Sequence, residues 1–144
     1  MTAPDDDRGL EVLSEAECWH LVRSQRVGRF ASNRRGRGPH VVPINYAVED
    51  DDSIVFRSGA GTKLESLRNG VITIQVDVID HAHRTGTSVI VEGRGRWLYE
   101  EQDPSAVEVW APGDRAYVVR VLPTRVTGRR IDLHQHDTDH RGYR

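Results

Sequence analysis

Hydrophobic positions along the chain start with a helical spacing and then keep a period of two almost to the end. Cys18, Leu21, Val22 and Gln25 follow the helical spacing. Ahead of them, Ser14-Glu15-Ala16-Glu17 forms a capping box, in which Ser14 accepts from the Glu17 amide and Glu17 reaches back. Leu13 and Cys18 stand at the two staple positions. The pattern predicts a helix from Glu15 to Ser24.

Alternation begins at Val27 and predicts a strand to Ser32. Asn33 to Gly38 reads as a turn. His40 to Val48 alternates with Val42, Ile44, Tyr46 and Val48 on one face, and the acidic turn Glu49-Asp50-Asp51-Asp52 leads into a strand over Ile54 to Arg57. A glycine-rich turn follows. Thr62 and Glu65 make a second capping box for a short helix that ends at Gly70. Val71 to Ile79 then alternates with Ile72, Ile74, Val76 and Val78 on one face. Thr87 to Tyr99 is a long strand whose Gly93 and Gly95 predict bulges or a sharp bend. Asp103-Pro104 caps a further short helix that ends before Pro112-Gly113. Tyr117 to Leu122 and Arg125 to Leu133 are predicted as two closing strands.

Six or more strands with few, short helices argue for a mainly β protein, a small β-barrel. The βα alternation of a doubly wound fold is absent. The chain divides into a disordered lead over residues 1–12, one domain over 13–133, and a polar, histidine-rich tail over 134–144.

Composition narrows the function. The 144 residues carry a net charge of −2, so no bulk attraction to nucleic acid or anionic membrane is implied. Cys18 is the only cysteine, which rules out an intramolecular disulfide and fits a reducing, cytoplasmic setting. No apolar run approaches the ~20 residues of a membrane span. The acidic start, Met1 to Asp7, lacks the apolar core of a secretory signal.

Lys63 is the only lysine, and it closes Arg57-Ser58-Gly59-Ala60-Gly61-Thr62-Lys63 at a predicted helix start. Unpaired amides and the helix dipole favour an anion there. Glycines allow close approach, Thr62 offers a hydroxyl, Lys63 a compact charge and Arg57 a planar fork. The spacing is not that of a Walker loop. Two readings stay open from the turn alone: a phosphate cradle, or an ordinary strand-to-helix connection with surface charges. The strand His40 to Tyr46 adds weight to the first. Pro43 cannot donate to a ladder, so it marks an edge, a bulge or a neighbour other than a strand. A flat ring along that edge would use the free backbone groups and the Asn45 amide.

Taken together, Val42-Pro43-Ile44-Asn45-Tyr46, Ile54 to Ser58, Gly61-Thr62-Lys63-Leu64 and Thr87 to Gly93 resemble the pyridoxamine 5′-phosphate oxidase-like family in order and spacing. The resemblance runs from Leu13 to Ile131. It extends through Trp110-Ala111-Pro112-Gly113 and Pro123 to Ile131, which are similar to the closing strands of a short actinobacterial-type branch. It implies an FMN-binding split barrel, working as a homodimer with two flavin sites at the subunit interface. Arg57, Ser58, Thr62 and Lys63 match the family's phosphate contacts. Val42, Pro43, Ile44 and Asn45 match the strand beneath the isoalloxazine ring. Ser88, with Thr87, matches the strand contributed by the other subunit. Many relatives of this branch carry tryptophan where Thr87 stands, and the substrate-binding C-terminal segment of true pyridoxamine-phosphate oxidases is not recognisable. The family name therefore does not carry its activity over.

The function expected is that of an FMN-dependent oxidoreductase acting on a small molecule, with the redox chemistry supplied by the cofactor. No catalytic side chain is singled out. The alternatives are the deazaflavin F420 on the same barrel, or a flavin or haem carrier or sensor without turnover. His81 and His83 form an HxH pair without a placed third ligand, so no metal site is assigned. His134, His136 and His140 fall in the solvated tail. Arg34-Arg35-Gly36-Arg37 lacks interleaved aromatics, which argues against nucleic-acid binding. Arg129 is expected on the strand face of Arg125 and Ile131.

Overall fold

The computed structural model describes residues 10–58, 70–99, 107, 110 and 117–132. The two short helices expected after Thr62 and Asp103 lie outside these residues, as do Thr62, Lys63 and the tail. The elements are β1 (Glu11–Val12), α1 (Glu15–Ser24), β2 (Val27–Ser32), β3 (His40–Val48), β4 (Ile54–Ser58), β5 (Val71–Asp80), β6 (Thr85–Tyr99) and β7 (Tyr117–Asp132). All pairings are antiparallel, in the order β1-β7-β4-β3-β2-β5-β6. Pairing of β6 with β7 closes the last six into a barrel.

Helix α1 has the predicted bounds. The Ser14 backbone is extended, and its Oγ accepts from the Glu17 amide at 3.2 Å. Cys18 and Val22 are buried, and the Tyr46 hydroxyl donates to the Val22 carbonyl at 2.5 Å. That bond satisfies a carbonyl at the helix C-terminus, where intrahelical partners run out.

The barrel interior follows the alternation. Phe30, Ile44, Tyr46, Ile54, Phe56, Ile72, Ile74, Val76, Val89, Val91, Val119 and Val121 form one core, with Cys18 and Val22 of α1 packed into it. The Phe30 and Phe56 rings stand 5.4 Å apart, tilted by 56°. Each such ring contributes about 2–3 kcal/mol by leaving water. A second, smaller core of Val55, Val107 and Val118 lies on the other face of β4 and β7.

Two features differ from the alternation-based expectation, while the irregularity expected at Gly93 is present. The two closing strands are one continuous strand, β7. Glu92 pairs with Arg125 and Gly93 with Pro123, so Thr124 is an extra residue on β7. A bulge thus absorbs the proline that looked like a break. The Thr124 hydroxyl donates to the Glu92 carbonyl at 3.2 Å. Gly93 is required there, since a Cβ would stand 2.4 Å from the Leu122 carbonyl oxygen. Finally, β1 falls within the segment expected to be a lead. It pairs Glu11 with Arg130 and Val12 with Arg129, and the Arg130 guanidinium reaches both Glu11 carboxylate oxygens at 3.2 Å.

Candidate cofactor site

The ladder between β3 and β4 covers three residue pairs and ends at Tyr46 opposite Phe56. Beyond it, β4 continues to Ser58 against β7 alone, while β3 runs back to His40 against β2 alone. The wall splits here. Asn45 and Pro43 lie on one lip, Arg57 and Ser58 on the other. The Tyr46 amide donates to the Arg26 carbonyl on the β2 side, at 3.1 Å. By the alternation of an antiparallel strand, the main-chain groups of Val41, Pro43 and Asn45 then point into the split. Pro43 therefore sits where the missing N–H leaves no ladder bond unmade, as its presence in the strand required.

Side chains of the predicted site residues divide between the two faces. Ile44 and Val42 turn their side chains to the barrel core and, by the same alternation, their main-chain groups to β2. Ser58 is buried, on the inward face with Ile54 and Phe56. Pro43, Asn45 and Arg57 lie on the outer face, Arg57 next to the second core through Val55. The Asn45 Oδ1 accepts from the Trp110 amide at 2.9 Å, which ties the chain before β7 to this lip. Trp110 itself is 63% exposed.

Thr87 and Ser88 are elsewhere. Ser88 faces outward, since Val89 and Val91 are in the core. Its direct partners are Asp77 and Arg129, and the Gln75 amide donates to its hydroxyl at 3.1 Å. Asp77 is 3.6 Å from Arg29. These polar groups border a cleft of about 520 Å³ with Ile79 and Ile131 at its apolar end. Arg129 lies on the face shared with Arg125 and Ile131, as the alternation predicted. Thr87 faces the opposite way, in the row of Val78 and Arg130, where a second cleft of about 480 Å³ opens beside α1. Gln75 and Asp77 were not singled out from the sequence. Their only signal is that they fill the polar positions alternating with Ile74 and Val76.

Arg57 pairs with Val118 and Ser88 with Arg129, eleven residues apart on β7. That is about 35 Å along an extended strand. The Arg57 lip is thus remote from Ser88 along β7, whereas the Pro43 lip approaches the Ser88 cleft across β2, with Pro43 opposite Arg29, Arg29 opposite Gln75 and Gln75 bonded to Ser88.

Electrostatic perturbation near the cleft centres on the β5–β6 turn. The His83 amide and Nδ1 lie 3.0 and 2.7 Å from the Asp80 carboxylate, and the backbone bond first, then the ring bond, hold it below the usual carboxylate range. The turn's Arg84 has a left-handed backbone, φ 54°. His83 is thus committed to Asp80, and no group of three metal-ligating side chains occurs among the described residues. Burial raises the Cys18 thiol pKa, which fits a small core residue. No described helix is long and apolar enough to cross a membrane.

Residues 14–130 match the sequence profile described as pyridoxamine 5′-phosphate oxidase. The chain belongs to that family. Among solved structures, an FAD-binding protein from Mycobacterium smegmatis is 33% identical, covering 85% of this chain and 98% of its own, with a TM-score of 0.65. An FAD-binding protein from Mesorhizobium loti is 29% identical over 85% of this chain and 99% of its own, with a TM-score of 0.71. A flavocytochrome from Azotobacter vinelandii shares the fold at 15% identity, with 99% and 84% coverage and a TM-score of 0.62. Among curated proteins, none matches the chain. The family's split barrel is the architecture seen here, with the split between β3 and β4.

Proposed function

We propose that this member of the pyridoxamine 5′-phosphate oxidase family binds a flavin in the split between β3 and β4 and acts as a flavin-dependent oxidoreductase on a small molecule. The observation that carries the reading is the interrupted ladder. It leaves the main-chain groups of Val41, Pro43 and Asn45 facing a gap whose other lip holds Arg57 and Ser58. A planar ring can use those backbone groups along its edge, and a phosphate can use a guanidinium and a hydroxyl. Thr62 and Lys63 follow Ser58 closely in the chain and supply the remaining phosphate donors in this proposal. Two similar proteins are described as FAD-binding, which supports a flavin rather than another nucleotide.

The working form is a homodimer in which Thr87 and Ser88 of the second copy cover the flavin bound to the first. The distance of Arg57 from Ser88 along β7 supports this, because a phosphate held at the Arg57 lip is remote from Ser88 of its own chain. Ile79, Ile90 and Ile131, all at least 40% exposed on the outer face around Ser88, supply apolar surface for the contact. A bound flavin supplies the redox chemistry; the chain binds it, orients it and excludes water.

The test is titration of FMN into the cofactor-stripped protein, followed by flavin fluorescence, beside Lys63→Ala. Quenching that weakens in the variant supports the site. Equal affinity in both proteins removes Lys63 from it, and no binding to either rejects the flavin.

A further inference from the structure

We infer that the β5–β6 turn and the chain that follows β7 form a metal site, in which His81, His83, His134 and His136 hold one divalent cation of the zinc class. The inference is independent of the flavin reading. The sheet register brings the two segments together. The β6–β7 ladder runs through eight consecutive pairs, from Glu92 opposite Arg125 to Thr85 opposite Asp132. Counted on by two residues, the same register sets His134 level with His83; counted on by four, it sets His136 level with His81. The turn is closed by Asp80 opposite Thr85, so Asp80, Thr85 and Asp132 form one row across three strands. Strand spacing puts Asp132 about 5 Å from Thr85 and about 10 Å from Asp80. The residues after Asp132 lie outside the described ones, but chain length bounds their reach. The His134 Cα is at most about 7 Å from that of Asp132, and the His136 Cα about 14 Å. Four imidazoles can therefore meet beside the turn.

His83 is already oriented as a ligand. Its amide and its Nδ1 lie 3.0 and 2.7 Å from the two oxygens of the Asp80 carboxylate. An ionised carboxylate only accepts, so Nδ1 carries the proton and Nε2 presents its lone pair. A carboxylate on the far ring nitrogen fixes the tautomer of a metal-bound histidine and raises its basicity. The His83 side chain is 72% exposed, so the ring is open to an ion from solvent. Nearby charge permits a cation. Arg130, in the adjoining row of β7, is offset by Glu11 and Glu17.

The turn does not suffice by itself. Among the described residues no three side chains are grouped to hold a metal, and Asp80 is engaged by His83. The second His-x-His pair, His134-Gln135-His136, supplies what the turn lacks. Two pairs give four imidazole nitrogens, the number that closes a tetrahedral zinc site. Imidazole suits zinc and its neighbours better than calcium or magnesium, which take oxygen ligands. With all four positions filled by protein, no place is left for a reacting water. The ion is therefore a structural clip that fastens the β5–β6 turn to the chain leaving β7.

The experiment titrates Zn²⁺ into the untagged, full-length, chelator-stripped protein against a chromophoric competitor. Two double variants are compared with wild type, His81→Ala with His83→Ala and His134→Ala with His136→Ala. Wild type is expected to bind one ion per chain, roughly a hundredfold more tightly than either variant, because one chain joins two weak pairs. Without metal, all three proteins should melt together, since the turn pair is at the surface; with Zn²⁺, wild type alone should melt higher. Co²⁺ in wild type should give the intense visible absorption of a tetrahedral site. Tight binding that survives loss of the turn pair belongs to the tail alone and overturns the site. Tight binding that survives loss of the tail pair overturns it equally. Half an ion per chain overturns it too, by placing the ligands in two copies, as does an octahedral Co²⁺ spectrum.

Discussion

Gly93→Ala tests the closure of the barrel. At Gly93 an added Cβ would stand 2.4 Å from the Leu122 oxygen, 3.0 Å from its carbonyl carbon and 3.1 Å from the Pro123 Cα. Ordinary contact begins near 3.4 Å, so the closest approach is a full ångström too short. All three atoms are backbone, and no side chain can rotate away. The β6–β7 ladder must open at the bulge, where Thr124 already leaves it irregular. Overpacking alone costs about 1–3 kcal/mol, and each ladder bond lost adds about 1 kcal/mol. We expect about 2–4 kcal/mol of destabilisation. With a urea m-value near 2 kcal/mol/M, the midpoint falls by about 1–2 M. Gly38→Ala serves as the control, since nothing lies within 4 Å of its Cβ position. A Gly93→Ala midpoint matching that of Gly38→Ala would refute the close-approach argument.

Tyr46→Phe removes the bond to the Val22 carbonyl and leaves that buried acceptor unmatched, so urea unfolding should show a loss of about 1–3 kcal/mol. Burial raises the Tyr46 pKa, so in difference spectra this phenol should titrate above the ordinary range near 10. Asp51 and Asp80 have lowered pKa values, Asp51 first from the Ser53 hydroxyl and Asp80 first from the His83 amide. Their contribution is present above the unfolded carboxylate value near 3.9 and disappears as pH falls through the lower folded values. An Asp51→Asn, Asp80→Asn double variant should therefore lose less stability than wild type below about pH 4 in acid melts. Arg57→Ala should weaken the flavin by about 1–3 kcal/mol, read by fluorescence titration.

Most of the barrel was legible because each strand has one face in a single core, and that imposes a strict period of two. Val42, Ile44, Tyr46 and Val48 all reach the core from β3, as their spacing required. A strand as short as β1 offers no period to read, and a Pro123-Thr124 step cannot announce that a bulge will carry the strand across it. The split itself was legible in part. Pro43 signalled an unpaired edge, and the structure has that edge opening toward Arg57. The partition between faces was less visible, because adjacent residues in a motif point in opposite directions. Thr87 and Ser88 are neighbours in sequence and share one cleft, yet Thr87 alone also borders the cleft beside α1. The contact between Asn45 and Trp110 joins residues 65 apart and left no local trace.

The central claim is that one flavin is held by the split of one chain and the Ser88 cleft of another. Co-expression of Arg57→Ala with Ser88→Arg, each tagged differently, tests it directly. Each variant alone should bind flavin weakly. In the mixture, dimers carrying one copy of each variant have one intact site, and random pairing restores about a quarter of all sites. Recovery near that level, confined to the doubly tagged species, is the predicted result. No recovery beyond the separate variants, or full binding by Ser88→Arg alone, would contradict it.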